Sequence, residues 1–282
     1  MEPLVKIAAI QARPVSGAMD DLWSGEDLPH ALGLLAEAAR GGATLICFPE
    51  LYPRVGEEEL RGAARAHGVH VVAGLAEGTP AQWYNTAIVI GPSGEILGRQ
   101  RKCFPTQGEL DNGVVADDRY AVIQTDVGRL GIIICADFAF SRMGIDALLA
   151  QHADIVVNPS WWFALGEAYP ATVIARHMEC GKPIVGIDIA ACAVKRKVEG
   201  RLVDLFPRAG GYSTVCVPPR VATLAELAEW FRTKPGGANS LEGFASMLGE
   251  EEGILFADID LETARRFSGY FYRATAADVI RS

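Results

Sequence analysis

The chain has 282 residues, half of them hydrophobic, with 26 basic and 35 acidic side chains and a formal net charge of −9. That length is enough to bury a sizeable core, and the acidic balance argues against nucleic acid as the main partner. No run approaches the roughly 18 to 20 apolar residues of a membrane-spanning helix, and the opening Met1-Glu-Pro-Leu-Val-Lys-Ile7 lacks the basic and apolar regions of a secretory signal. Six cysteines without a CxxC pair read as reduced thiols, which leads to the expectation of a cytoplasmic protein.

Taken in order, Val5–Gln11 reads as a strand, and Leu28–Ala39 has helical periodicity that closes at Gly41-Gly42. Leu45–Phe48 is the next strand, and Pro49 stops it just before Glu50, because proline cannot continue a central ladder. A helix over Glu57–Ala66 ends before Gly68, and strands follow at Val69–Ala76, Tyr84–Ile90 and Ile96–Arg101, with Pro92-Ser-Gly94 as the turn between the last two. The last of these strands leads straight into Lys102. The Ile-rich run from Arg129 reads as a buried strand stopping at the Cys135 thiol. A helix over Met143–Gln151, a strand over Ile155–Asn158, a helix from about Gly166 to Cys180 and a strand over Ile184–Ile187 complete the alternation of a layered α/β fold.

Beyond them, Lys195-Arg-Lys197 reads as a solvated turn. Thr223 and Glu226 have capping-box spacing at the head of a helix reaching Phe231, Pro235-Gly-Gly237 breaks it, and Leu241–Leu248 is expected to form a second short helix. With no linker or repeat, residues 1–282 read as one domain carrying a helical insertion at about 218–249. The insertion is either an excursion packed on the body or on a partner subunit, which is the favoured reading, or a lid over a pocket.

A carboxylate, an ammonium and a thiol thus each stand at a strand end, far apart in sequence. Singly they are ordinary: a buried cysteine is usually a small hydrophobe, and a lone Glu or Lys is usually solvated. As a set, Phe48-Pro49-Glu50, Arg101-Lys102 and Gly131-Ile-Ile-Ile-Cys135-Ala-Asp137 resemble the nitrilase, or carbon–nitrogen hydrolase, superfamily. The resemblance extends through Ala153–Ser160, Ala175–Glu179, Gly210–Ser213 and Gly253–Asp260, and so covers nearly the whole chain. It implies a four-layer α-β-β-α sandwich, a homodimer or larger even homo-oligomer, and a small-molecule amide substrate. It further implies a catalytic set of Cys135 as nucleophile, Glu50 as proton carrier, Lys102 as oxyanion partner and Glu109 as a second glutamate that positions substrate and water. Ala136 would add its backbone N–H to the oxyanion site, and Phe138, Trp161, Trp162 and Tyr169 would bind substrate.

The chemistry explains these residue types. Attack on an unactivated amide or nitrile carbon needs a thiolate, a proton shuttle for the leaving nitrogen and positive charge where the oxyanion grows. Side chains then supply nucleophile, base and electrophile, so neither metal nor organic cofactor is expected. Ala136-Asp137 in place of the Trp-Glu that follows the cysteine of nitrilases favours amide over nitrile, whereas Ser141-Arg142 departs from the Pro-Glu of the amidase branch. The expected function is therefore cleavage of a linear amide or N-carbamoyl bond. A nitrilase or an acyltransferase on the same triad is the alternative, and a noncatalytic binding module the reading from another class. No G-x-S-x-G elbow, Walker loop or G-x-G-x-x-G follows a strand, and His67-Gly-Val-His70 lacks the spacing of a metal motif.

Overall fold

Along the central strands, alternate side chains enter different cores. In β1 (Val5–Gln11) Ile7 and Ala9 face one apolar cluster while Ala8 and Ile10 face another, and in β2 (Leu45–Cys47) Leu45 and Cys47 part from Ile46 in the same way. A strand buried on both faces belongs to the middle of a layered stack. The computed structural model describes residues 4–15, 22–162, 166–198, 201–221, 223–237 and 239–265, and the ends of the expected 1–282 domain lie outside them.

The first half continues with α1 (Leu28–Arg40), β3 (Pro53–Arg54), α2 (Glu57–His67), β4 (His70–Thr79), β5 (Gln82–Ile90), β6 (Ile96–Arg101) and α3 (Gln107–Asp111). The second half runs through β7 (Val122–Thr125), β8 (Gly128–Ile132), α4 (Ala136–Phe140), α5 (Met143–Ala150), β9 (Ile155–Pro159), α6 (Ala168–Cys180) and β10 (Ile184–Ile187). After these come β11 (Cys192–Val198), β12 (Arg201–Ala209), β13 (Thr214–Cys216), α7 (Leu224–Thr233), β14 (Ala245–Met247) and β15 (Gly253–Ile259). One sheet has the order β15-β1-β2-β4-β5-β6 with β3 beside β4, the other β14-β13-β10-β9-β8-β7, and among the described residues β11 and β12 form a separate two-stranded sheet.

The clusters give the layers. Side chains from β1, β2, β4 and β5 meet those of β8, β9, β10 and β13 between the sheets. The outer face of the first sheet packs on α1 and α2, and that of the second on α5 and α6. This is the four-layer α-β-β-α sandwich.

Three expectations change. The strand before the thiol ends at Ile132, not at Cys135, although Ile133 and Cys135 still donate their N–H groups to Val157 and Pro159 carbonyls and so extend along β9 to the thiol. Lys195, Arg196 and Lys197 lie in β11 rather than in a turn; Lys195 stands directly opposite Asp204, the kind of cross-strand pair that steadies a hairpin. Residues 241–248 hold a turn and β14 rather than a helix, because Ala245–Met247 find backbone partners in β13 that local sequence does not announce.

The helix expected in the insertion is present as α7, capped by Thr223 accepting from the Glu226 N–H. Its Trp230 lies against Phe244 (6.4 Å between ring centroids), which stacks edge-on against His177 of α6 (4.7 Å).

Close approach at one glycine fixes the segment after β2. A Cβ on Gly74 of β4 would stand 2.3 Å from the Leu51 nitrogen and 2.7 Å from the Pro49 oxygen, and the Gly74 N–H bonds the Tyr52 carbonyl. Gly74→Ala is expected to destabilise the fold by about 1–3 kcal/mol, the range for forced overpacking, as read from urea denaturation. Unchanged stability would show that the turn carrying Glu50 yields freely.

Candidate active site

Four polar side chains from the first sheet's end converge. Glu50 follows β2 through Phe48-Pro49, Asn85 lies early in β5, Lys102 comes directly after β6, and Glu109 stands on α3. Lys102 Nζ donates to Glu50 Oε1 at 2.7 Å and to Glu109 Oε1 and Oε2 at 2.9 and 2.8 Å. Asn85 Nδ2 also bridges the two carboxylates, at 2.7 Å from Glu50 Oε1 and 2.9 Å from Glu109 Oε1. Thr106 closes a capping box on α3, its N–H donating to Glu109 Oε2 at 2.7 Å, so the same carboxylate that holds the lysine also anchors its helix.

The thiol comes from the second sheet. Cys135 has φ 43° and ψ −103° at the entry to α4, a strained conformation for a residue with a Cβ. Its N–H is tied to the Pro159 carbonyl, and its Sγ lies 3.7 Å from the Trp161 carbonyl oxygen. The Trp161 N–H in turn donates to Glu50 Oε2 at 2.9 Å. Glu50 therefore touches the lysine with one oxygen and, with the other, the segment that flanks the thiol.

A family model described as carbon–nitrogen hydrolase matches residues 6–230, from β1 into α7. The chain belongs to the carbon–nitrogen hydrolase family. An aliphatic nitrilase of Rhodococcus rhodochrous is 26% identical over 307 residues, covering 91% of this chain and 75% of that protein. An omega-amidase of Bos taurus is 24% identical over 267 residues, with 84% of each chain covered. The crystal structure of an amidase from Nesterenkonia sp. superposes with a TM-score of 0.68 at 22% identity, covering all of this chain and 97% of that one, and shares the sandwich fold.

Electrostatics separate the two glutamates of this hydrolase. Burial pushes the Glu50 carboxyl above its ordinary value, with Glu109 adding to the rise against the opposing pull of Lys102 and of a hydrogen bond from Cys135. Burial would also raise Glu109, but Lys102 and donors from Thr106 and Asn85 outweigh it and hold that carboxyl low. Lys102 is pulled down by burial, yet Glu50, Cys135 and Glu109 together keep it above its ordinary value. Cys135 is pushed well up, by burial first and by Glu50 second, with Lys102 opposing. Lys102 favours the thiolate, as its charge predicts, but two larger effects win. Environments that push neighbouring carboxyls apart are the usual mark of divided acid–base roles.

The expected substrate-binding residues fall into two groups. Trp161 is buried among Leu51, Ala76, Trp83, Val114 and Ile189 beside the thiol, and the Trp162 N–H is held by Asp188 Oδ1 at 2.9 Å. Ala136 opens α4 immediately after Cys135, where the first N–H groups of a helix lack intrahelical partners. Phe138 and Tyr169 instead occupy the core between the second sheet and its helices. The Tyr169 hydroxyl is 2.9 Å from Asn158 Oδ1, and its ring lies 5.4 Å from that of Trp162. Sequence reasoning missed Asn85; a lone Asn in a strand looks generic until Glu50 and Glu109 are seen on either side.

Lys102→Met would leave two buried carboxyls facing each other without a cation. The expected loss is about 3–5 kcal/mol near neutrality, as for breaking a buried ion pair. Both carboxyls would then sit above their unfolded values, so that deficit should shrink as pH falls through them. Urea denaturation at pH 7.5 and pH 5 tests this, and an equal deficit at both would refute it.

Proposed function

We propose that this hydrolase cleaves the C–N bond of a linear amide or N-carbamoyl compound through a thioester on Cys135. The observation that carries the reading is the buried Lys102 ammonium held by Glu50 and Glu109 next to a thiol on a strained turn. Glu50 takes the thiol proton as Sγ adds to the carbonyl carbon, and the oxyanion forms against Lys102 and the Ala136 N–H. Collapse breaks the C–N bond, the proton passes from Glu50 to the leaving nitrogen, and ammonia or an amine departs. A water molecule then gives a proton to Glu50 and attacks the thioester; the acid leaves and the proton returns to sulfur. Glu109 holds Lys102 and helps place substrate and water, and Trp161 and Trp162 contribute to the acyl pocket.

One atom favours amide over nitrile. Asn85 Oδ1 is buried and accepts no hydrogen bond among the described residues, although its amide nitrogen touches both glutamates. An unpaired buried acceptor beside the reacting atoms suits an incoming N–H donor. A primary amide or carbamoyl nitrogen brings such donors, and a nitrile nitrogen brings none.

The proposal includes self-association and a reducing compartment. Phe140, Met143 and Met178, on the outer helices of the second sheet, are 84%, 66% and 56% exposed, which supports a homodimer or larger even assembly through that face. All six cysteines are free, which supports the cytoplasm, and no helix of the described residues is long and apolar enough to cross a membrane.

Mass spectrometry with a slow amide should show an acyl adduct on Cys135 that disappears in Cys135→Ala; an adduct on Cys103 would sink the assignment. Glu50→Gln and Lys102→Met should each lower turnover about a hundredfold or more, and a near-normal rate in either folded variant would remove it from the triad. Specificity constants for an amide and its matched nitrile decide the bond: faster conversion of the nitrile to acid and ammonia would overturn the amide reading. A chelator is expected to leave turnover unchanged, and loss restored by a divalent ion would contradict a cofactor-free reaction.

A further inference from the structure

We propose that Asp137 is the positioning residue that sets Lys102 against Cys135. The inference rests on the reading of Lys102 as the oxyanion partner and concerns what places that lysine. Its backbone N–H donates to the Asn85 carbonyl at 2.9 Å, and its carbonyl accepts the Asp117 N–H at 3.0 Å. The next two N–H groups in the chain, those of Cys103 and Phe104, both end on Asp137: Cys103 N to Oδ2 at 2.9 Å and Phe104 N to Oδ1 at 2.6 Å.

Asp137 stands two residues past Cys135, its own N–H bonded to the Ile134 carbonyl across the strained turn. It is fully buried. One carboxylate thereby ties the turn that presents the thiol, on the second sheet, to the turn that presents the ammonium, on the first. Two consecutive donors on two oxygens fix orientation as well as distance, which a single bond would not. Both oxygens are spent on backbone N–H groups rather than on the candidate catalytic side chains, so Asp137 acts through Lys102.

An asparagine of nearly the same shape cannot do this. It offers one acceptor, and its NH₂ would face the second N–H, donor against donor. The groups facing Asp137 are Lys102 and Glu50 of the site, the Cys103 thiol and the Tyr120 hydroxyl. Burial pushes its carboxyl up to about 6 against the pull of the two N–H donors and Lys102. The clamp therefore keeps its charge at neutral pH and loses it in mild acid.

The test follows the rate of Cys135 alkylation by iodoacetamide against pH, with the site mapped by peptide mass spectrometry, together with amide turnover. Lys102→Met should move the alkylation profile to higher pH, because the ammonium lowers the thiol. Asp137→Asn should move it the same way by a smaller amount and cut kcat at least tenfold with little change in KM. Asp137→Glu, which keeps both acceptors on a longer stem, should recover part of kcat, and it serves as the second variant if Asp137→Asn does not fold. In the Lys102→Met background, Asp137→Asn should shift the profile no further. Wild-type alkylation and kcat in folded Asp137 variants, or a shift undiminished in the Lys102→Met background, would overturn the proposal. If Lys102→Met itself leaves the profile unmoved, it is the role of Lys102 that fails, and the clamp falls with it.

Discussion

A buried ammonium with all three of its N–H donors taken is the constraint on which this site depends. Lys102 meets Glu50 Oε1 and both oxygens of Glu109 at 2.7 to 2.9 Å. Stripping water from such a charge costs several kcal/mol, and only close, well-aligned partners offset it. The arrangement also limits the chemistry. An oxyanion forming beside Lys102 must take a donor that a carboxylate already holds. In the proposed reaction, Glu50 accepts the thiol proton in the same step. Its negative charge disappears as the oxyanion's appears, so its grip on Lys102 weakens when the lysine is needed elsewhere, and Glu109, held low by its own donors, keeps the ammonium in place.

The sandwich exists, from this viewpoint, to bring two independent sheets to one point. The parallel strands β1, β2 and β4 in one sheet and β8, β9 and β10 in the other run toward the site, and crevices at the carboxyl ends of such strands are common places for chemistry. Glu50, Asn85 and Lys102 come from the first sheet and Cys135 and Trp161 from the second. Hydrogen bonds that cross between the sheets at the site include the Trp161 N–H to Glu50 and the Cys103 and Phe104 N–H groups to Asp137. The apolar layer between the sheets presses the halves together, but it is non-directional. Polar links at the rim supply the register.

Much of this was legible in the sequence, for a physical reason. Glu50, Lys102 and Cys135 stand out because each interrupts or ends an apolar or extended run, and Pro49 marks where the chain must leave the ladder. The central strands and α1, α2, α5 and α6 were readable because burial imposes strong local patterns on them. What failed was set by non-local pairing. Ala245–Met247 becomes a strand only because β13 lies alongside, and Lys195–Lys197 becomes a strand only because Arg201–Asp204 folds back on it. Phe138 and Tyr169 lie in the core between the second sheet and its helices, a placement that an aromatic in sequence does not announce, because it gives no sign of which side of a sheet it will fill. Asn85 was invisible because its importance lies in being between two carboxylates that are distant in the chain.

The cysteines show why geometry, rather than acidity, singles out the candidate nucleophile. Burial pushes Cys180 up to about 11 and Cys103 and Cys216 up to about 12, and Cys47 and Cys135 rise as well. A search for a standing thiolate would find none of them. Cys135 differs in its company: a carboxylate that can take its proton, an ammonium that opposes the rise, and a turn at φ 43° that sets the sulfur apart from the strand direction. A thiol kept protonated until a base and an electrophile are both in place resists stray oxidation and alkylation. In the proposed reaction its reactivity is conditional on substrate, because only an acceptor carbon near Lys102 makes transfer of the proton to Glu50 worthwhile. The high resting position of the thiol is thus compatible with the proposed reaction, and it makes Lys102's placement the quantity that the surrounding hydrogen bonds must protect.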